Sequence, residues 1–200
     1  LNIVEGVGSA LARPGVFLHS NVGKNRFPGT KIDEFVNNID QSLGGKVDAA
    51  FLKFCYVDME QAGNPADLFQ SYKASVSALK TKHPGTTFVH FTLPIKSIPT
   101  DMKTRIKDGL GMSIEEKEDN KKRADFNKLI RQEYAGKEPI FDIAYLESVS
   151  PVTGKVYGFK DGDRVVEVMA PDNTNDGGHL TESGKRWIAE QLIVFLAQLP

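Results

Sequence analysis

The sequence predicts an α/β fold in which helices cover both faces of one mainly parallel sheet, giving a three-layer α/β/α sandwich. Short apolar runs bounded by turn residues alternate along the chain with longer segments whose apolar residues have helical spacing. Several of the apolar runs are continuous, as expected for strands buried on both faces. With 200 residues, 40% hydrophobic and 26% charged, the chain is predicted to form a single domain over 1–200.

The first elements follow from apolar spacing and from turn residues. Residues 1–11 have apolar residues at helical spacing and are predicted to form a short helix, which ends at Pro14-Gly15. The apolar run 16–19 is predicted as a buried strand. Residues 21–30 contain two glycines and a proline and are predicted as a loop, and residues 31–43 as a helix that two glycines end.

The middle of the chain repeats the alternation. The apolar run 47–56 is predicted as a central strand. Asn64 is a predicted cap for a helix that has proline at its first position and ends at a His-Pro-Gly sequence. Residues 86–93 are rich in β-branched and aromatic residues and predict the next strand. An amphipathic helix over 120–134 and a short strand over 139–143 follow.

Two segments depart from the alternation before the last helix. Residues 95–113 carry a proline, two glycines and scattered charge, and are predicted as a long surface loop or lid. Residues 150–168 contain an Asp-Gly-Asp turn and predict a small hairpin insertion. Thr181 is the predicted cap of the final amphipathic helix.

Charge and composition argue against several classes of function. Lys and Arg number 25 and Asp and Glu 26, so the formal net charge is −1. The lysines of 115–122 alternate with acidic residues as on a solvated helix face, so no nucleic-acid partner is expected. The sequence has no signal segment and no apolar stretch near the roughly 18–20 residues that span a bilayer. Cys55 is the only cysteine, so no disulfide forms within the chain, and the compartment and oligomeric state stay open.

The candidate for catalysis is the segment Asp176-Gly177-Gly178-His179, directly before the capped terminal helix. The two glycines permit a tight turn that brings the carboxylate of Asp176 back onto the imidazole of His179. A carboxylate bonded to one ring nitrogen fixes the tautomer, and the other nitrogen can then act as general base on a hydroxyl nucleophile. The alternative is a polar loop in which His179 packs against the helix start, and spacing alone leaves both interpretations open.

This segment, with the Leu-Thr and the amphipathic helix that follow it, resembles the block that supplies Asp and His to the catalytic triad of SGNH/GDSL hydrolases. Further stretches resemble a bacterial branch of that superfamily, and the ordered set covers nearly the whole chain: 22–25, 53–58, 90–94, 126–127, 141–144 and 147–148. The resemblance implies the flavodoxin-like α/β/α sandwich of the superfamily and a serine nucleophile.

The resemblance also implies where the nucleophile lies. In that branch the serine precedes a stretch that Asn2-Ile3-Val4-Glu5-Gly6 resembles. We therefore expect the first strand and its serine upstream of Leu1, which agrees with a chain that begins on a predicted helix rather than on a central strand. Ser20 is the rival nucleophile because it follows a predicted strand, and a simple loop residue is the alternative interpretation of Ser20.

The oxyanion donors implied by the resemblance are Gly23 and Asn25. The third block of the superfamily has an asparagine where this sequence has Val57, so Asn25 is the nearest candidate to replace it. The sequence has no paired cysteines, no His-x-x-x-His and no glycine-rich phosphate loop between a strand and a helix. Neither a metal nor a nucleotide cofactor is therefore expected.

The function implied is hydrolysis of an ester, with an acyl group on a carbohydrate as one candidate substrate. His179 would serve as general base and then general acid, with Asp176 as its orienting partner and no cofactor. The alternative is a non-catalytic carbohydrate-binding or assembly module on the same fold, because fold alone does not establish function.

Overall fold

The computed structural model describes residues 2–60 and 63–199, and two ladders of parallel strands form its sheet layer. Their bounds are Asn2–Glu5 (β1), Val16–His19 (β2), Ala49–Leu52 (β3), Thr87–Phe91 (β4) and Ile140–Phe141 (β5). One ladder pairs β1 with β2, and the other has the order β3-β4-β5. The rings of Phe17 on β2 and Phe51 on β3 lie 5.9 Å apart, so the two ladders are in contact.

The described residues also form six α-helices. They are Pro28–Asn37 (α1), Pro65–Lys82 (α2), Met102–Gly109 (α3), Glu115–Tyr134 (α4), Ile143–Ser148 (α5) and Glu182–Leu196 (α6). A π-helical turn, Asn38–Ser42, extends α1, and 3₁₀ turns lie at Tyr56–Met59 and Pro171–Asn173.

The sheet separates two apolar cores, and this separation makes the three layers. On β3, Ala50 and Leu52 belong to the core formed with α1, α2 and α4, whereas Phe51 packs into the core formed with α5 and α6. Successive side chains of a strand point to opposite faces, so a strand buried on both faces is apolar throughout. The predicted three-layer α/β fold with a parallel sheet is confirmed.

The prediction of a helix over 1–11 is wrong. Asn2–Glu5 form β1, which pairs with β2 from Asn2 opposite Val16 to Glu5 opposite His19. The β-branched Ile3 and Val4 suit a strand, and Gly6, at φ +133°, ends it. Backbone pairing with β2 therefore overrides the helical spacing of small apolar residues, and Leu1 lies outside the described residues.

Two predicted loops contain helical structure. The loop predicted over 21–30 is shorter, because α1 already begins at Pro28, a residue that suits the first helical turn. The loop predicted over 95–113 contains α3, for which the Asp101 side chain accepts a hydrogen bond from the Thr104 amide. Met102, Ile106 and Leu110 form an exposed apolar stripe on this segment, and α3 has no buried residue.

Several boundaries differ by a few residues. The helix predicted from 120 begins at Glu115, with three glutamates in its first turn. The strand predicted over 139–143 is only Ile140–Phe141, because Asp142 caps α5 through the Tyr145 amide.

The central strand predicted over 47–56 is shorter, at Ala49–Leu52, because the chain turns into a 3₁₀ turn at Tyr56. The remaining predictions match the structure closely. Asn64 and Thr181 cap α2 and α6 as predicted. The hairpin predicted within 150–168 is formed by Gly158–Asp161 (β6) and Arg164–Glu167 (β7), joined by a turn with Gly162 at φ +60°. Among the described residues, no helix combines the length and apolar character needed to cross a membrane.

Candidate active site

Asp176 and His179 meet in the turn that precedes α6. Asp176 Oδ2 lies 2.6 Å from His179 Nδ1. Its other oxygen, Oδ1, accepts hydrogen bonds from the amides of Gly178 at 2.9 Å and His179 at 2.8 Å. Gly177 has φ +88°, a left-handed conformation that favours glycine and closes the turn. The structure thus brings together the two side chains that the sequence pattern pairs.

The turn also sets the ionisation state of Asp176. The amide of His179 first, then the amide of Gly178 and the imidazole, hold the pKa of the Asp176 carboxyl far below its usual range. An ionised carboxylate on Nδ1 keeps the proton on that nitrogen and leaves Nε2 as the acceptor. Both side chains are open to solvent, with 74% of His179 and 58% of Asp176 exposed.

Tyr56 is the side chain that faces His179 Nε2, and the sequence analysis does not predict it. Its hydroxyl oxygen lies 3.4 Å from Nε2, and the two rings are edge-to-face with centroids 5.6 Å apart. The approach depends on Gly178, since a Cβ there would lie 2.9 Å from both Cζ and the hydroxyl oxygen of Tyr56. Gly178 thus provides the space in which Tyr56 reaches the histidine.

Two cationic side chains fix Tyr56. Arg123 Nε donates a hydrogen bond of 2.9 Å to the Tyr56 carbonyl, and its guanidinium carbon lies 5.9 Å from the ring centroid. Lys96 Nζ lies 5.5 Å from the same centroid. The Arg123 side chain is fully buried, and its Nη1 donates to the side-chain oxygen of Asn120. Tyr56 is therefore tied to α4 and to the segment after β4.

The segment after β4 also holds the Asp176–His179 turn. The Ser97 amide donates to the Gly177 carbonyl at 2.9 Å. The Lys96 amide and carbonyl both bond to the side-chain amide of Asn120, at 3.1 and 2.8 Å. The Lys96 carbonyl also accepts a hydrogen bond from the Met169 amide. Lys96 and Ser97, near the start of the predicted loop or lid, thus support the Asp176–His179 turn.

A second set of polar contacts involves the loop between β2 and α1. Asn25 Oδ1 accepts a hydrogen bond of 2.8 Å from Lys31 Nζ, which also lies 2.7 Å from Asp58 Oδ2. Asp58 Oδ1 accepts from the Arg26 amide, and Asp58 Oδ2 accepts from the Cys55 amide, so this carboxylate joins the loop to the turn that carries Tyr56. Asn25, predicted as an oxyanion donor, is therefore oriented by the buried Lys31–Asp58 ion pair.

The predicted roles of Gly23 and Ser20 receive less geometric support. The Gly23 amide donates to Glu34 Oε2 at 2.8 Å, so this candidate oxyanion donor is already engaged. Gly23 has φ +56°, and a Cβ there would lie 2.5 Å from the backbone nitrogen of Lys31. Both facts explain why this residue is glycine. Ser20 lies just after β2, and among the described residues no hydrogen bond joins it to His179. Within the same residues, no group of three or more His, Cys, Asp or Glu side chains could hold a metal ion.

Solved bacterial structures share the fold that carries this site. A GDSL-like lipase from Bacteroides thetaiotaomicron matches with a TM-score of 0.57 and 14% identity, over 98% of this chain and 87% of that one. A protein assigned as an acylhydrolase from Bacteroides fragilis matches with a TM-score of 0.55 and 17% identity, over 100% of this chain and 88% of that one. No protein-family model matches the sequence, and a search of curated proteins finds no significant relative. At these identities the likeness establishes the fold.

Proposed function

Because the chain has the SGNH/GDSL hydrolase fold, we propose that it is a serine-type hydrolase of esters in which Asp176 and His179 activate the nucleophile. The observation that supports this most directly is the 2.6 Å contact between Asp176 Oδ2 and His179 Nδ1, on a turn that leaves Nε2 pointing away from the carboxylate. Acyl esters, including those on carbohydrates, are the proposed substrate class.

The proposed reaction has two halves. In the first, His179 Nε2 removes the hydroxyl proton of a serine as its oxygen attacks the ester carbonyl, and the same proton then passes to the leaving alkoxide. In the second, Nε2 removes a proton from water as the water attacks the acyl-serine. The imidazolium then returns that proton to the serine oxygen as the acid leaves. Asp176 stays ionised throughout and stabilises the imidazolium that forms in each half.

Two positions are candidates for the nucleophile. One is a serine that precedes Leu1 in the natural protein, as the family resemblance implies. The other is Ser20, which follows β2. The resemblance favours the first, and the described residues show no hydrogen bond between Ser20 and His179.

Fluorophosphonate labelling of the longest natural form of the protein, followed by peptide mapping, tests the proposal. Labelling of a serine in the wild type, lost in His179→Ala, is expected. His83→Ala is the matched control, because His83 also contacts an aspartate, with Nε2 3.0 Å from Asp40 Oδ1, outside the Asp176–His179 turn. Asp176→Asn should lower kcat for an ester by about 10⁴-fold, since an amide stabilises the wrong tautomer.

The labelled position then decides between the two serines. A label upstream of Leu1 would support the family assignment of the nucleophile, and a label on Ser20 would replace it. Absence of both labelling and ester hydrolysis in the wild type would refute the hydrolase and favour the non-catalytic carbohydrate-binding or assembly module.

A further inference from the structure

We propose that Tyr56 is a catalytic residue of this site, and that its hydroxyl donates a hydrogen bond to the ester carbonyl oxygen as that oxygen becomes an anion. The inference rests on the proposed hydrolase and adds the donor that its oxyanion hole needs. The third block of the family has an asparagine for this purpose, and this chain has Val57 there. Tyr56, the neighbouring residue, supplies a donor of a different kind.

The position of the hydroxyl carries the argument. Its oxygen lies 3.4 Å from His179 Nε2, the nitrogen to which the nucleophile must be hydrogen-bonded. The carbonyl oxygen of an ester is bonded to the carbon that the nucleophile attacks. The negative charge on that oxygen therefore develops close to Nε2 as well. At 3.4 Å the contact with Nε2 is longer than a good O–H···N hydrogen bond, so the hydroxyl can turn to a stronger acceptor. A developing oxyanion is such an acceptor.

The protonation state of Tyr56 suits a donor. Burial, reinforced by Cys55 and by the carboxylates of Asp176 and Glu60, raises the pKa of the phenol above its usual value of 10.0. The hydroxyl therefore keeps its hydrogen at neutral and mildly alkaline pH. Arg123 opposes this shift, since a neighbouring cation favours the phenolate, but the pKa is still raised.

The setting of Tyr56 holds the donor in place before any substrate binds. Its carbonyl is bonded to Arg123, its ring lies beside the cations of Arg123 and Lys96, and Gly178 packs against its hydroxyl end. A donor that is already oriented needs little reorganisation in the transition state, which is how oxyanion holes lower a barrier. The amide of Gly23, the other donor that the resemblance implies beside Asn25, is already engaged with Glu34, so it does not replace the Tyr56 hydroxyl.

The test is Tyr56→Phe in the full natural chain, which keeps the ring and removes the hydroxyl. We expect kcat for an ester to fall about 10²–10³-fold with KM little changed, as for loss of an oxyanion donor. Affinity for a trifluoromethyl ketone, whose hemiketal oxygen mimics the oxyanion, should fall in parallel. The pH at which kcat/KM reaches half of its maximum should be the same in the variant as in the wild type. Tyr145→Phe, a change at an exposed tyrosine of α5, is the matched control and should leave all of these values unchanged.

Each contrary outcome has a separate meaning. An active Tyr56→Phe variant, within about threefold of wild-type kcat, overturns the role of Tyr56 and leaves the hydrolase intact. A slow variant whose pH profile moves, or whose ketone affinity does not fall with kcat, shows that Tyr56 positions His179 instead. If the wild type shows neither turnover nor labelling, both the proposed hydrolase activity and the role of Tyr56 are refuted. Thermal unfolding of both variants checks that the fold is unchanged.

Discussion

Glu147 on α5 should make the protein less stable as the pH rises from acid to neutral. Its side chain is 3% exposed, and its Oε2 accepts one hydrogen bond, from the Ile95 amide at 2.8 Å. Burial outweighs this bond and raises the pKa of the carboxyl from its ordinary 4.5 to about 7. The folded state therefore binds this proton more tightly than the unfolded state, so the stabilisation is complete below pH 4.5 and is lost as the pH rises through 7.

The size of the effect follows from the two pKa values. A tenfold change in proton affinity corresponds to about 1.4 kcal/mol, so the difference between 4.5 and about 7 amounts to about 3 kcal/mol. Glu147→Gln keeps the shape of the side chain and never ionises. We expect the free energy of unfolding of the wild type, relative to that of the variant, to decrease by about 3 kcal/mol between pH 4.5 and pH 8.

Urea unfolding at closely spaced pH values, followed by circular dichroism, measures this difference. Glu182→Gln is the control, because Glu182 is an exposed glutamate in the first turn of α6. The difference in free energy of unfolding between Glu182→Gln and the wild type should not show the pH dependence expected for Glu147→Gln. The reasoning fails if the Glu147→Gln difference is flat across the pH range. It also fails if the slope has the opposite sign.

Two further substitutions test contacts around the site. Gly178→Ala should lower kcat by about 10²-fold, because the added methyl displaces Tyr56, as initial rates on an ester would show. Lys31→Met should lower the free energy of unfolding by about 3–5 kcal/mol in urea titrations, because it leaves the buried Asp58 carboxylate without its cation.

Matched variants separate these effects from general damage. Gly85→Ala adds the same methyl where no atom lies within 4 Å, so it should keep wild-type rates. Lys185→Met removes an exposed partner of Glu182 and should leave stability nearly unchanged. Equal losses in Gly178→Ala and Gly85→Ala would disprove the steric argument, and equal losses in the two lysine variants would disprove the burial argument.

The contact between Asp176 and His179 could be predicted because it is local. Asp176 and His179 are three residues apart, and the glycines between them determine the turn. Tyr56 could not be found this way, because it is 123 residues from His179 along the chain. It also stands in an apolar run whose pattern indicates only a buried strand. The pairing of the two rings is a product of the sheet, which brings the end of β3 beside the turn before α6.

The predictions for residues 1–11 and for α3 are wrong for different reasons. Residues 1–11 have helical spacing, but the backbone of Asn2–Glu5 pairs with β2, and spacing holds no information about that partner. Apolar residues stand at helical spacing along α3 and at the residue after it, at Met102, Ile106 and Leu110. The proline, glycines and charge of the segment nevertheless indicate a loop. Local signals at Asn64 and Thr181, by contrast, act within one turn of helix, and both caps form as predicted.

The exposed helix α3 should unfold locally before the rest of the domain. Eight residues are too few for a helix to persist in water without tertiary packing, and α3 buries none of its side chains. Its backbone amides should therefore exchange with solvent through local fraying, whereas those of β4, between two cores, should exchange only when the whole domain unfolds. The chain thus joins a segment of very low local stability to Ser97, which holds the Asp176–His179 turn through the Gly177 carbonyl.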